Sequence, residues 1–171
     1  MICFFLTSTA VGPGNRTTRS TYNPDGSLGP NSLRQFPGDA QRLEEAVAKL
    51  VASVRAHPTA GGGKLDPRRY VYFERALSFM NARGERPVIV FNPIYPTVLA
   101  ELRKVGFPAR EASREYLTRL HERFDFIAVD AQDIRRWGGS PRDFTDPTHI
   151  NDKNMRRLLA YVVTRSDGAL R

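Results

Sequence analysis

The stretch Asp143-Phe144-Thr145-Asp146-Pro147-Thr148-His149-Ile150-Asn151 sets a carboxylate and an imidazole three residues apart across a Pro-containing turn. In such a turn the two side chains can face each other. A carboxylate so placed fixes the tautomer of the ring and stabilises its imidazolium, which a base serving a hydroxyl nucleophile needs. The same spacing suits a structural use, in which Asp146 caps the turn, Asn151 caps the next helix and His149 lies on the surface. On spacing alone the structural use is the commoner outcome. Three more residues belong with this group. Asn92 and Tyr95, in Asn92-Pro93-Ile94-Tyr95-Pro96, and Asp130 each follow an apolar run, where α/β sheets hold their ligands. They are candidates for lining a substrate pocket.

Other chemistry-bearing residues point to less. Gly61-Gly62-Gly63-Lys64 resembles a phosphate loop, but Pro58 stands where that motif has Gly and Leu65 where it has Ser or Thr. His121 and Asp125 are spaced to share a metal, yet no third ligand is near in sequence, and a surface pair is the simpler reading. No metal and no cofactor is expected. Asn15-Arg16-Thr17 fits a glycosylation sequon, which matters only in a secreted eukaryotic protein. The single cysteine, Cys3, excludes an internal disulfide framework. Trp137 reads as core or loop anchor rather than as a substrate platform.

The elements that must position these residues begin after a change of composition. Residues 1–38 are rich in Gly, Pro, Ser, Thr and Asn without amphipathic period. Past the short apolar stretch Met1–Leu6 they read as loop, with a turn at Asn23-Pro24-Asp25-Gly26. From Asp39, a capping residue, Leu43, Ala46, Val47, Leu50, Val51 and Val54 recur at helical spacing. A second helix starts with Asp66 as cap and Pro67 at its first position, buries Tyr70, Phe73, Leu77 and Met80, and ends at Gly84. Val88–Phe91 is unbroken apolar, as in a strand covered on both faces. Helices follow over Thr97–Lys104 and Ala109–Arg123, then a second buried strand over Phe126–Val129, ending at Asp130. A short helix near Gln132–Trp137 stops at Gly138-Gly139. A polar loop from Ser140 to Ile150 leads to a last helix with Met155, Leu158, Leu159 and Val162 inward. This alternation predicts an α/β domain over residues 39–171 with a parallel sheet.

Composition adds limits. The chain has 171 residues, 40% hydrophobic and 26% charged, which supports a packed core and excludes wholesale disorder. No apolar run nears a membrane span, no transmembrane segment is expected and no signal peptide is legible. The formal charge of +8 comes from 26 basic residues, nearly all arginine, against 18 acidic ones. The arginines are dispersed, with no aromatic residues interleaving a basic stripe, so nucleic acid is an unfavoured partner and solvated arginines are the simpler reading. An anionic polymer stays open as a partner.

From about Asp66 to Val163 the chain resembles the C-terminal part of an SGNH (GDSL-like) hydrolase, on the order of helix, "RPVIVFNPIYP", helices, "FDFIAVDAQDI", "DFTDPTHIN" and a closing amphipathic helix. It looks most like the cell-envelope polysaccharide O-acetyltransferase-like branch, of the alginate acetylation type. The resemblance implies a flavodoxin-like three-layer sandwich acting on acyl esters without a metal, often in the periplasm or cell envelope. It carries the triad roles onto His149 and Asp146, with an acyl-ester or carbohydrate substrate. The family's Gly-Asp-Ser nucleophile block and its oxyanion-hole Gly and Asn blocks are not recognisable. Ser27, in "PDGSLG", sits in a turn rather than after a strand. The nucleophile is thus unassigned, and the sheet is expected to be incomplete at its N-terminal side, as in a chain lacking the front half of its domain. Very low esterase activity follows. The competing expectation is a non-catalytic module on the same scaffold that binds an anionic polymer.

Overall fold

The computed structural model describes residues 3–6, 40–57 and 67–166. Its centre is Val88–Phe91, whose four side chains are all buried. A short, uninterrupted apolar run can satisfy its backbone only between two other strands, and this one (β2) lies between β1, Cys3–Leu6, and β3, Ile127–Asp130. Both pairings are parallel, and Leu6, Phe91 and Asp130 stand level at the carboxyl end. β1 corrects the sequence reading, which left Met1–Leu6 outside the sheet and found two strands. Four apolar residues show no period of their own, and their partner is β2, far along the chain. β3 also starts one residue later than expected, since its pairing with β2 begins at Ile127 opposite Val88, while Phe126 ahead of it is buried in the core.

Helical elements cover both faces of β2, whereas β3, expected to be buried, is covered only in part and leaves Ala128 exposed. Ile89 and Phe91 pack with Leu77 of α2 (Pro67–Ala82) and with Leu117 and Leu120 of α4 (Pro108–Leu120). Val88, Val90 and Val129 point the other way, onto Leu158 and Val162 of α5 (Asp152–Arg165) and onto Ile134, Trp137 and Phe144. Full burial of each such side chain stabilises the fold by about 1.5–3 kcal/mol. Beside this core, α1 (Ala40–Ala56) lies on α3 (Pro96–Val105) through Val47, Val51 and Val98. Arg55 clamps that contact with two bonds to Glu101, at 2.9 and 3.0 Å. Hydrogen bonding from Arg55 holds the Glu101 carboxyl below its ordinary range, against the opposing effect of burial.

The expected inward stripes hold for α2 and α4, while α5 is rotated slightly. Leu159 is exposed and Asn154 is wholly buried, so the stripe runs Asn154, Leu158, Val162. Pro67 opens α2 as expected, whereas Asp39, Asp66, residues 23–26 and residues 61–64 lie outside the described residues. No described helix is long and apolar enough to cross a membrane.

Candidate functional site

The expected polar loop from Ser140 to Ile150 is a small hairpin. β4, Phe144–Asp146, runs antiparallel to β5, His149–Ile150, and Asp146 and His149 are cross-strand partners. Pro147 and Thr148 make the turn. Asp146 then uses its two oxygens differently. Oδ1 accepts the Thr148 N–H at 2.8 Å, the His149 N–H at 3.0 Å and the Thr148 hydroxyl at 3.0 Å. Oδ2 meets His149 Nδ1 at 2.7 Å. Turn capping and imidazole orientation are therefore one arrangement rather than alternatives. The N–H bonds hold the carboxylate still, and its other oxygen aims the ring.

Electrostatics follow from that geometry. The bond to Asp146 raises the His149 pKa above its ordinary value, with burial opposing. The Asp146 carboxyl is held below its ordinary range; burial pushes it up, but the bonds from His149 and Thr148 together outweigh burial. An ionised carboxylate only accepts, so a neutral His149 carries its proton on Nδ1 and keeps a lone pair on Nε2. The ring is 70% exposed and its carboxylate partner 45%. No described hydroxyl bonds Nε2, and Ser27 lies outside the described residues.

The hairpin is held by residues that spacing did not single out. Asn154 is fully buried on α5 and brackets the chain before β4. It accepts from the Ser140 N–H at 2.9 Å and donates to the carbonyls of Ser140, at 2.8 Å, and Asp143, at 3.2 Å. Arg157 bridges the Asp143 carboxylate, at 2.6 Å, and the Asn154 side-chain oxygen, at 2.9 Å. Hydrogen bonding from Arg157 holds Asp143 below its ordinary range. Asn151 caps α5 by accepting from the Lys153 and Asn154 N–H groups, as expected. The legible signal for Asn154 was a polar residue on the inward stripe, three places after a cap.

The loop after β2 joins the hairpin to the sheet. Ile94 N–H donates to Gln132 at 3.1 Å, and Tyr95 N–H donates to Pro147 at 3.0 Å. The Tyr95 ring meets Phe144 edge to face at 5.4 Å. Tyr95 thus seats the hairpin by its backbone and its ring. Asn92 is half-buried directly after β2, and its side chain bonds no described residue. Asp130 bonds neither member of the dyad. Its Oδ2 takes Arg110 at 2.9 Å, with Arg136 at 3.5 Å and Arg114 at 4.0 Å.

Three smaller expectations can be placed. Trp137 is buried, its indole N–H donating to Ala131 at 2.9 Å, so it anchors the loop. It closes a 3-10 turn, Ile134–Trp137, after which Gly138 is left-handed at φ 69°. A Cβ on Gly139 would sit 2.5 Å from the Trp137 ring, which explains the glycine pair. His121 stacks on Phe126 at 3.9 Å while Asp125 pairs with Arg86, so the two are committed separately.

In chemical terms, the site offers an oriented imidazole whose Nε2, once the ring is neutral, can take a proton from a hydroxyl or a water and return it to a leaving alcohol. Compared with known proteins, the chain matches no family model, no curated protein and no solved structure.

Proposed function

We propose that this chain is an SGNH-type ester hydrolase or O-acyltransferase domain acting on acyl esters, with esters of a cell-envelope polysaccharide as its substrate class. The observation that carries this reading is the 2.7 Å bond from His149 Nδ1 to Asp146, which leaves Nε2 as the acceptor. His149 takes the proton of the attacking hydroxyl, the oxygen adds to the acyl carbon, and His149 then protonates the departing alcohol. Asp146 orients the ring and stabilises its cation. The parallel sheet with helices on both faces supports a flavodoxin-like sandwich, and the hairpin's attachment to the loop after β2 suits a site at the strands' carboxyl ends.

The hydroxyl nucleophile is unassigned, so slow turnover is expected of this chain alone. The test is hydrolysis of p-nitrophenyl acetate by the full chain and two variants. His149→Ala is expected to remove most of the rate above buffer, on the order of 10²-fold. Asp146→Asn is expected to lower it as well, although the ring remains. A rate unchanged by His149→Ala overturns the reading. A rate lost in His149→Ala but intact in Asp146→Asn marks an unassisted imidazole and also counts against it.

A further inference from the structure

Asp130 and Asp133, at and just past the carboxyl end of β3, gather more positive charge than they neutralise. Arg110, Arg114 and Arg136 all reach the same oxygen of Asp130. Arg135 and Arg103 reach Asp133, at 2.6 and 3.3 Å. Hydrogen bonding from Arg135 holds Asp133 well below the usual carboxylate range. Among the described residues, the one other carboxylate paired within the group is Glu111, with Arg110 at 2.9 Å. Five guanidinium groups therefore face three carboxylates. The side chains of Arg103, Arg114, Arg135 and Arg136 are about half exposed or more, while Arg110 is largely covered. The N-terminal end of α4, which carries Arg110, adds its positive dipole end.

We infer that this cluster is a binding site for an oxyanion-bearing polysaccharide. Arg110, bonded to Asp130 and Gln132, is the fixed base of the site. Arg114 and Arg136 hold Asp130 only loosely and keep donors for a ligand carboxylate or sulfate. The charges come from α3, α4 and the turn after β3, so they match a chain carrying several anions better than one small ion. Nucleic acid fits less well, because no exposed large aromatic side chain among the described residues belongs to α3, α4 or that turn for bases to stack on. The segment bearing the cluster is tied to the dyad's hairpin through the Gln132–Ile94 and Tyr95–Pro147 backbone bonds. It deepens the ester reading, on which it rests only for the role of the bound glycan as substrate.

The experiment measures binding of the full chain to polygalacturonate, dextran sulfate, neutral dextran and poly(U) across a salt series. Expected are binding to one or both anionic glycans, none to neutral dextran, and weaker binding to poly(U). The glycan bound more tightly identifies the anion. In Arg114→Gln/Arg136→Gln, affinity at low salt is expected to fall about tenfold, and the slope of log affinity against log salt by roughly one to two. At about 0.15 M salt, where screening confines exposed charges to near neighbours, the charge-matched control Arg75→Gln/Arg119→Gln is expected to keep its affinity within about twofold. Equal losses in both pairs, tighter binding of poly(U), or no binding to any polyanion overturn the proposal. Loss of p-nitrophenyl acetate hydrolysis with glycan binding intact removes the ester reading alone, and loss of glycan binding with hydrolysis intact removes this site alone.

Discussion

Replacing Asn154 by leucine removes four hydrogen bonds while keeping the branching and heavy-atom count of the side chain. Lost are the bonds with the Ser140 N–H and carbonyl, the Asp143 carbonyl and Arg157. At about 0.5–1.5 kcal/mol for each bond, the gross loss is roughly 2–6 kcal/mol. Arg157 keeps Asp143, and Ser140 and Asp143 are only half-buried, so the expected loss is about 3 kcal/mol. In a domain of this size that lowers Tm by about 6–12 °C, read by thermal unfolding. The second consequence is specific to the site. Asn154 ties Ser140 and Asp143 to α5 just ahead of β4, so its loss frees the hairpin bearing Asp146 and His149. Misplacement by about 1 Å can cost on the order of 10²-fold in rate, so ester hydrolysis is expected to fall at least tenfold at a temperature where the variant is folded. A variant within about 0.5 kcal/mol of the parent, with its rate intact, refutes the bracket.

Three more outcomes follow. A general base works only when neutral, so the hydrolysis rate is expected to rise with pH through a midpoint above 6.5, the ordinary value for His149. Asp146→Asn is expected to move that limb to lower pH, as read in the pH–rate profile. In pH-dependent unfolding, the contribution of His149 is fully present below about 6.5 and fades as pH rises through its raised folded value. That of Asp146 is present above its ordinary 3.8 and is lost as pH falls through its lowered value. Gly139→Ala drives a methyl into the Trp137 ring and is expected to cost about 1–3 kcal/mol in denaturant unfolding, with Trp137 fluorescence altered.

How much was legible in the sequence depended on whether the determining contact is local. α2 begins at Pro67, and β2 is an unbroken apolar run, so propensity and period sufficed for both. The Asp146–His149 pair was legible for the same reason, since a turn brings the two together without help from the rest of the fold. β1 was not, because Cys3–Leu6 is a strand only by virtue of Val88–Phe91. The hairpin was read as loop because three- and two-residue strands carry no period. Asn154 was missed because a buried amide among apolar neighbours is justified only by the loop carbonyls it meets. Asp130 was placed correctly at a strand end, but spacing gave no sign that three arginines converge on it.

The functional reading stands on one hydrogen bond, His149 Nδ1 to Asp146 Oδ2. Nitrogen-15 NMR of the His149 ring, taken well above its pKa, reports that bond directly. The expected spectrum has the proton on Nδ1 and an unprotonated Nε2, with the balance moving toward Nε2–H in Asp146→Asn. A parent protein whose neutral ring is protonated mainly on Nε2 contradicts it, because that nitrogen could not then act as the base.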